Sequence, residues 1–322
     1  MPSSATKNAA TGYLLYLIAA TLWAFNGTVS KIILLSVGDP ARVSQLRTTA
    51  AFLILITVVA FTNRKAFKLT KAELPVLITY ALLGITLTQW AYFEAISRMP
   101  VGIALLIEFT APIYIVLWVR FVRGQHVRST IWLGLAMAIS GLALVAQVWK
   151  GATLDSVGML FAFGATFSLI IYYLLGEKAS QNRDSVSLIM WGFFFASIFW
   201  AITQPWSTFP FESLNKTVEP FVNSSTTAPL WLLISYMVIG GTVLPFVLVV
   251  MAIKHLGAAG ASLMGMMEPL IAFLVAWVVL GESLNAIQII GGLVMLTGVY
   301  IAELARISKR PEIENLETIV PS

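Results

Sequence analysis

The chain contains no cysteine, and only 11% of its 322 residues are charged. The absence of cysteine excludes disulfides, thiolate metal sites and cysteine nucleophiles. His126 and His255 are the only histidines, and neither has a partner at the spacing that metal ligands require. The sequence also has no Walker A motif and no Rossmann fingerprint. We therefore expect neither a metal nor a nucleotide cofactor.

Apolar sequence is what the chain has in abundance. Hydrophobic residues make up 58% of it, and the mean hydropathy is +0.87. A soluble protein of this length needs more polar surface. The composition therefore predicts an all-α membrane protein whose main solvent is lipid.

Charged, proline-rich and glycine-rich breaks divide the chain into ten apolar runs of roughly 17 to 24 residues, which is the length of a membrane-crossing helix. The first run is too long and too polar for a signal peptide and is predicted to be retained. The ten predicted transmembrane helices are Gly12 to Leu34, Val43 to Phe61, Pro75 to Ile96, Val101 to Val122, Ile131 to Val148, Val157 to Leu175, Val186 to Ile202, Leu230 to Ile253, Ala258 to Leu280 and Ala286 to Ala302.

Lysine and arginine are unevenly divided between the two sides of the membrane. With a cytoplasmic N-terminus, fourteen of the twenty lie in cytoplasmic segments. The positive-inside rule then predicts a multi-pass membrane protein with both termini in the cytoplasm. Because the charges are spread over short loops and not gathered in one patch, we expect no nucleic-acid partner.

One spacing indicates two copies of the same unit. Ala95, Pro112, Gly134 and Gly141 reappear 157 positions later (269 − 112, for example) as Ala252, Pro269, Gly291 and Gly298. The first helices match more weakly, through Ala20-Thr21 and Ala165-Thr166. Five helices per copy make the two halves enter from opposite sides, so they are inverted repeats. The predicted division is a cytoplasmic tail at 1–11, repeats at 12–150 and 151–305, an outer loop at 204–229 and a cytoplasmic tail at 306–322.

Two acidic residues lie inside predicted helices, next to prolines. Glu108 precedes Pro112 by one turn, and Glu268 directly precedes Pro269. A proline frees a backbone carbonyl, so each site combines a carboxyl group with unpaired backbone near mid-membrane. Such a site suits an amine or a proton. The alternative is that each carboxyl is neutral and only fastens helices.

Arg47 and Glu94 are predicted at similar depth near the outer side. The simplest way to neutralise both is an ion pair, which could serve as an outer gate. Arg47 could instead hold a substrate carboxylate. The alternative for both is that they reach the outer headgroups.

Aromatic and amide side chains in mid-helix suggest a cavity for a compact amphipathic solute. The candidates are Trp23, Asn26, Tyr92, Tyr172 and Trp191. An interfacial belt is the alternative for the aromatics. Pro245 is a further predicted helix break that could act as a hinge.

These features resemble a known family. Ten helices, inverted repeats, Glu268-Pro269 followed by Gly281-Glu282, and glycine-rich final helices are similar to the EamA-type transporters of the drug/metabolite transporter superfamily. The stretch 99–104, with Glu108 to Pro112, looks like the corresponding segment of bacterial threonine/homoserine exporters. The resemblance implies export of amino acids or other small metabolites across the plasma (inner) membrane, through a pocket between the halves.

We therefore predict a secondary transporter, and not an enzyme, that exports amino acids or similar small metabolites by alternating access. Its partners are a small-molecule substrate and the lipid bilayer. The alternatives are drug or toxin efflux, a channel and an intramembrane enzyme. The sequence leaves the choice between a monomer and a homodimer open.

Overall fold

The computed structural model describes residues 4–149, 155–219, 227–280 and 285–307, and this part of the chain is almost entirely helical. The helices are α1 Ser4–Val37, α2 Pro40–Thr62, α3 Leu74–Arg98, α4 Val101–Phe121, α5 Ser129–Ala146, α6 Ser156–Ser180, α7 Ser185–Thr203, α8 residues 230–256, α9 residues 258–280 and α10 Ala286–Ile307. Short 3₁₀ turns lie at Arg64–Phe67, Trp206–Thr208 and Phe211–Asn215, and β1 Thr217–Val218 pairs antiparallel with β2 Ala228–Pro229.

The boundary between α8 and α9 is a single glycine. The helical stretch Leu230–Gly265 is long enough for more than one crossing, and Gly257 interrupts it with φ 75° and ψ 171°. A positive φ favours glycine, and this one redirects the chain into α9. Among the described residues, nine helices have the length and hydropathy of a membrane span, and Leu230–Gly265 is counted as one of them. Gly257 divides that stretch into α8 and the first part of α9, and Met267–Leu280 is the remainder of α9, which makes ten helices. The prediction of an all-α membrane protein with ten transmembrane helices is confirmed.

Aspartates fix the beginnings of three membrane helices. Asp39, Asp155 and Asp184 each accept a backbone N–H from the first turn of α2, α6 and α7, at distances from 2.6 to 2.9 Å for the shortest bond of each. Such caps satisfy donors that the helix itself leaves unpaired. Residues 4–11 contain no proline or glycine that would break a helix, and α1 begins at Ser4, inside the segment 1–11 that the sequence predicts as a tail.

The two halves meet through glycines of α5 and α10. A Cβ on Gly141 would lie 2.4 Å from the Met295 nitrogen and 2.6 Å from the Gly291 oxygen. A Cβ on Gly298 would lie 2.4 Å from the Ala138 nitrogen and 2.5 Å from the Gly134 oxygen. Shifting every number by 157 exchanges these two contacts, and the paired helices run antiparallel. This is the packing that an in-plane two-fold axis between inverted repeats produces.

Helices α3 and α8 share a second feature, a π-helical segment. It covers Tyr80–Thr86 in α3 and Ile239–Val243 in α8, and Gly84 and Gly241 are equivalent under the shift of 157. For the first two helices of each half the shift is 145, since α2 begins at 40 and α7 at 185. The twelve additional positions fall in the segment 204–229.

The bundle has two distinct ends. One end carries the segments 62–73, 122–128 and 181–184, and we call it the basic end. The opposite end carries residues 204–219, and we call it the long-loop end. At the long-loop end Arg42 donates to the Pro205 oxygen at 3.0 Å, and Gln45 to the Gln204 oxygen at 2.6 Å. The described part of the loop is therefore tied to the start of α2.

Candidate functional site

A cavity of about 80 Å³ lies between the two halves, where α1, α2, α3, α4, α6, α8 and α9 meet. It is far smaller than the roughly 300–1,000 Å³ of typical ligand pockets. Most of the residues singled out from the sequence line it together: Trp23, Asn26, Arg47, Tyr92, Glu108, Tyr172 and Glu268.

Each carboxyl group lies at a break in its helix. Glu108 ends the half-helix Val101–Glu108, and two residues separate it from the next half-helix, Ala111–Phe121. The Ile107 oxygen next to this break accepts the Thr110 hydroxyl at 2.6 Å and the Thr166 hydroxyl at 3.0 Å. In α9 the break is at Met266, and Glu268 lies in the first turn of Met267–Leu280. The helix dipole therefore favours an anion at Glu268 more than at Glu108.

The three predicted helix breaks lie just beyond irregular backbone. Pro112 and Pro269 each occupy the first turn after the interruption in their helix. Pro245 lies in the first turn of the α-helical stretch that follows the π-helical segment Ile239–Val243 of α8. Because proline has no N–H to donate, each can begin a new helical stretch without leaving a donor unpaired.

The two carboxyl groups share the cavity with one guanidinium. Glu268 lies within electrostatic range of both Glu108 and Arg47, and Glu108 is only 8% exposed. No hydrogen bond from another described side chain to either carboxyl group is found. Because an isolated charge is costly in such surroundings, these groups need a proton or a bound ligand as counterpart.

Arg47 is held by the π-helical segment of α8. Its Nε donates to the Thr242 hydroxyl at 2.5 Å, and Nη2 donates to the Gly241 oxygen at 2.6 Å. Trp23 donates to the same Gly241 oxygen at 3.1 Å. Pro245, four residues after Gly241, has no N–H to donate to this carbonyl, so the oxygen is available to fix the guanidinium at the cavity wall.

The predicted ion pair between Arg47 and Glu94 is wrong. Glu94 instead accepts from Trp90 at 3.3 Å and pairs with Arg98 at 3.4 Å. Residues four apart lie on one face of a helix, and this face of α3 turns away from Arg47. The guanidinium lies over the ring of Phe93, 5.4 Å from its centroid.

Trp191 does not line the central cavity, so its predicted cavity role is wrong. Its indole nitrogen donates to the Ala66 oxygen at 3.0 Å, and its ring packs against Phe194 and Phe195. It lies near the basic end, in the second turn of α7. An amphipathic ring at a helix end is typical of the membrane interface.

Tyr16 and Tyr173 are among the cavity residues that the sequence analysis did not single out. Their hydroxyl groups hydrogen-bond to each other across α1 and α6. Gly265 of α9 lies beside them, and a Cβ there would come 2.9 Å from one hydroxyl and 3.0 Å from the other. Tyr16 precedes Trp23 by seven residues, so helical spacing would have placed both on one face.

The surroundings of the cavity differ between the two ends. Toward the long-loop end, buried apolar side chains fill the bundle: Ile33, Val43, Phe93, Ile96, Leu230 and Met237. Toward the basic end lies a vestibule of about 660 Å³. Arg123, Arg128, Lys254 and Arg306 line the vestibule, and Glu177 is the one carboxylate among its described lining residues.

The described part of the chain contains no group of three or more His, Cys, Asp or Glu residues that could hold a metal ion. Gly281 and Glu282, which carried part of the family resemblance, lie outside the described residues.

Comparison with known proteins gives consistent matches. A profile of the EamA-like transporter family matches residues 10–147 and 156–304. An uncharacterized transporter of Archaeoglobus fulgidus is 26% identical over 283 residues, which cover 86% of this chain and 91% of that protein. The threonine/homoserine exporter RhtA of Escherichia coli K12 is 26% identical over 266 residues, 82% of this chain and 81% of RhtA.

A solved crystal structure matches with a TM-score of 0.71 and 17% identity, covering 92% of this chain and 98% of the other. At this identity the likeness shows the fold alone.

Proposed function

This chain belongs to the EamA-like transporter family, and we propose that it is a secondary transporter that exports amino acids or similar small metabolites. The proposed location is the plasma membrane with both termini in the cytoplasm, which makes the basic end the cytoplasmic one. The name of the relative RhtA supports both the amino-acid class and the outward direction.

The observation that carries the proposal is the pairing of opposite charges in one buried cavity. Glu108 and Glu268 offer carboxyl groups, and Arg47 offers a guanidinium fixed by Gly241 and Thr242. An amino acid presents an ammonium group and a carboxylate on neighbouring atoms. Each would find an opposite charge here, and charge-assisted hydrogen bonds are stronger than neutral ones.

Size and vestibule charge favour this class over drug efflux. The cavity of about 80 Å³ must already widen to hold an amino acid and would have to widen much more for a drug-sized solute. The vestibule carries Arg123, Arg128, Lys254 and Arg306. Arg123 pairs with Glu177 and Arg306 pairs with Glu303, so in the described part of the chain Arg128 and Lys254 supply the positive excess. Such an excess of positive charge disfavours lipophilic cations on their way to the cavity.

Alternating access follows from the closures at the two ends. The hydroxyl pair of Tyr16 and Tyr173 lies between the cavity and the vestibule, and the apolar cluster around Val43 and Phe93 closes the opposite side. If the halves rock about the α5 and α10 contact, one closure opens while the other holds.

The cavity charges also offer a means of exchange. Two carboxylates and one guanidinium sum to one negative charge, and a proton on either carboxyl group neutralises it. A zwitterionic amino acid adds no net charge, but its ammonium group needs the same carboxylate in its ionised form, so the proton and the ammonium group compete for it. Binding of one would therefore displace the other. The rate of transport should therefore depend on pH.

The test is exchange in proteoliposomes. A panel of labelled amino acids is offered outside, with or without unlabelled amino acid inside. We expect saturable uptake that trapped substrate accelerates. Glu108→Gln and Glu268→Gln should each lower the uptake rate by about 10-fold or more, because a charge-assisted hydrogen bond contributes about 1.5–3 kcal/mol.

Glu94→Gln is the matched control, since Glu94 pairs with the exposed Arg98 away from the cavity. An exposed pair contributes little, so this variant should retain its activity. Failure of the folded protein to transport any amino acid would contradict the proposal, as would Gln variants at 108 and 268 that match the control.

A further inference from the structure

Two buried amide side chains of the cavity lack hydrogen-bond partners. Asn26 is 5% exposed and Gln89 is 3% exposed, and both line the central cavity. The Asn26 Oδ1 and both the Nε2 and Oε1 of Gln89 have no partner among the described residues. An unpaired buried polar group is costly and calls for an explanation.

Several buried hydroxyl groups of the bundle bond to the backbone of their own helix, which the two amides do not. Ser197 donates to the Phe193 oxygen one turn earlier at 2.6 Å, and Thr166 bonds in the same way to Ala162 at 3.0 Å. Some other hydroxyls, such as those of Ser44 and Thr48, have no partner either, but they do not line the cavity. Asn26 and Gln89 differ from these hydroxyls because they line the central cavity, where the Asn26 Oδ1 lies beside Gly241 of α8.

The fold itself does not require an amide at this place. Under the shift of 157, Gln89 corresponds to Phe246, which also lines the cavity. Phe246 packs edge-on against Trp23 and Tyr172, with ring centroids 5.5 Å apart in both cases. The same helix position therefore accepts an apolar residue in the other half.

We propose that Asn26 and Gln89 recognise a hydroxyl group on the side chain of the substrate, which makes short hydroxyl-bearing amino acids the preferred class. This inference rests on the proposed function. A hydroxyl group has one donor and two acceptor positions, so it can donate to an amide oxygen and accept from the Gln89 Nε2. An acidic side chain would instead meet Glu108 and Glu268, which repel it.

The test compares substrates that differ only in the hydroxyl group: homoserine against norvaline, and threonine against valine. For wild-type protein we expect a preference for the hydroxyl member of about 10- to 100-fold in kcat/KM, because the apolar analogue leaves the amides unpaired. In Gln89→Met, which keeps the length of the side chain and removes the amide, the preference should fall to a few-fold. Gln125→Met at the exposed basic end is the matched control and should keep the wild-type preference.

Thermal stability separates recognition from a structural role. Replacing a buried unpaired amide by an apolar side chain of similar size is neutral or stabilising, so Gln89→Met and Asn26→Leu should melt at or above the wild-type temperature. A lower Tm or failure to fold would overturn the inference, and so would a wild-type protein without hydroxyl preference or a Gln89→Met variant that keeps it. If no amino acid is transported at all, the proposed function fails and this inference with it; transport without hydroxyl preference overturns only the inference.

Discussion

The glycine contact between α5 and α10 makes a quantitative prediction about the symmetry of the fold. In Gly141→Ala the new methyl group would lie 2.4 Å from the Met295 backbone nitrogen, whereas ordinary contacts begin at 3.4 Å. The obstacle is backbone and cannot rotate away, so the helices must separate by about 1 Å at a site of dense packing. Gly298→Ala meets the Ala138 nitrogen at the same 2.4 Å.

The magnitude follows from two opposing terms. Over-packing of this kind costs about 1–3 kcal/mol, and backbone obstruction places it at the upper end. Alanine regains about 1 kcal/mol over glycine inside a helix. The net loss is about 2 kcal/mol for either variant. Gly164→Ala of α6 is the control, because its Cβ would meet only the Ala91 Cβ at 3.8 Å, so it should gain the helix term of about 1 kcal/mol.

The measurement is thermal unfolding of the detergent-solubilised protein. Relative to Gly164→Ala, both crossing variants should melt roughly 5–10 °C lower. The two values should agree closely, since the contacts are related by the two-fold axis. A crossing variant as stable as the control, or a large difference between Gly141→Ala and Gly298→Ala, would refute the reasoning.

Three further predictions concern the site and its support. Arg47→Lys should raise the KM for transport about 10-fold, because one ammonium group cannot replace the two guanidinium donors that bond to Thr242 and Gly241. Arg98→Lys, on an exposed side chain, should leave the KM unchanged. Gly265→Ala should force the hydroxyls of Tyr16 and Tyr173 apart and slow exchange several-fold, and an exchange rate equal to that of Gly164→Ala would contradict this. Outside the membrane, the Thr70 N–H, the Thr70 hydroxyl and Arg183 lower the pKa of Glu73 from its ordinary 4.5 against a smaller opposing effect of burial. A lowered pKa adds stability above the unfolded pKa that is lost as pH falls through the folded pKa, so Glu73→Gln should lower the Tm at pH 7 and make no difference in strong acid; a difference that persists there would be contrary evidence.

The features that the sequence predicted well are those that the backbone itself demands. Gly134, Gly141, Gly291 and Gly298 repeat because no side chain fits between α5 and α10. A repeat of this kind is visible in one sequence without knowledge of the fold. The carboxyl groups were equally visible, because a charge inside an apolar run has few explanations.

The partners of Arg47 could not be predicted in the same way. The π-helical segment Tyr80–Thr86 precedes Glu94 in α3 and changes the rotation of the residues that follow it, so spacing rules for a regular helix do not apply. The Gly241 oxygen can accept because Pro245, four residues later, has no N–H to donate to it, but the sequence does not show which side chain reaches this oxygen. The predicted cavity role of Trp191 was wrong for another reason. An aromatic residue of an apolar run can face either the cavity or the membrane interface, and the sequence does not distinguish the two.

The most direct test of the central claim, that one cavity opens alternately to both sides, uses a single cysteine. Gly27 lines the cavity and a Cβ there would meet nothing within 4 Å, so Gly27→Cys should fold and transport. The chain has no cysteine of its own, which removes any background. A membrane-impermeant thiol reagent should label Cys at this position from either side of the membrane, and saturating substrate should slow the labelling. Labelling from one side only, or labelling that substrate leaves unchanged, would contradict the account.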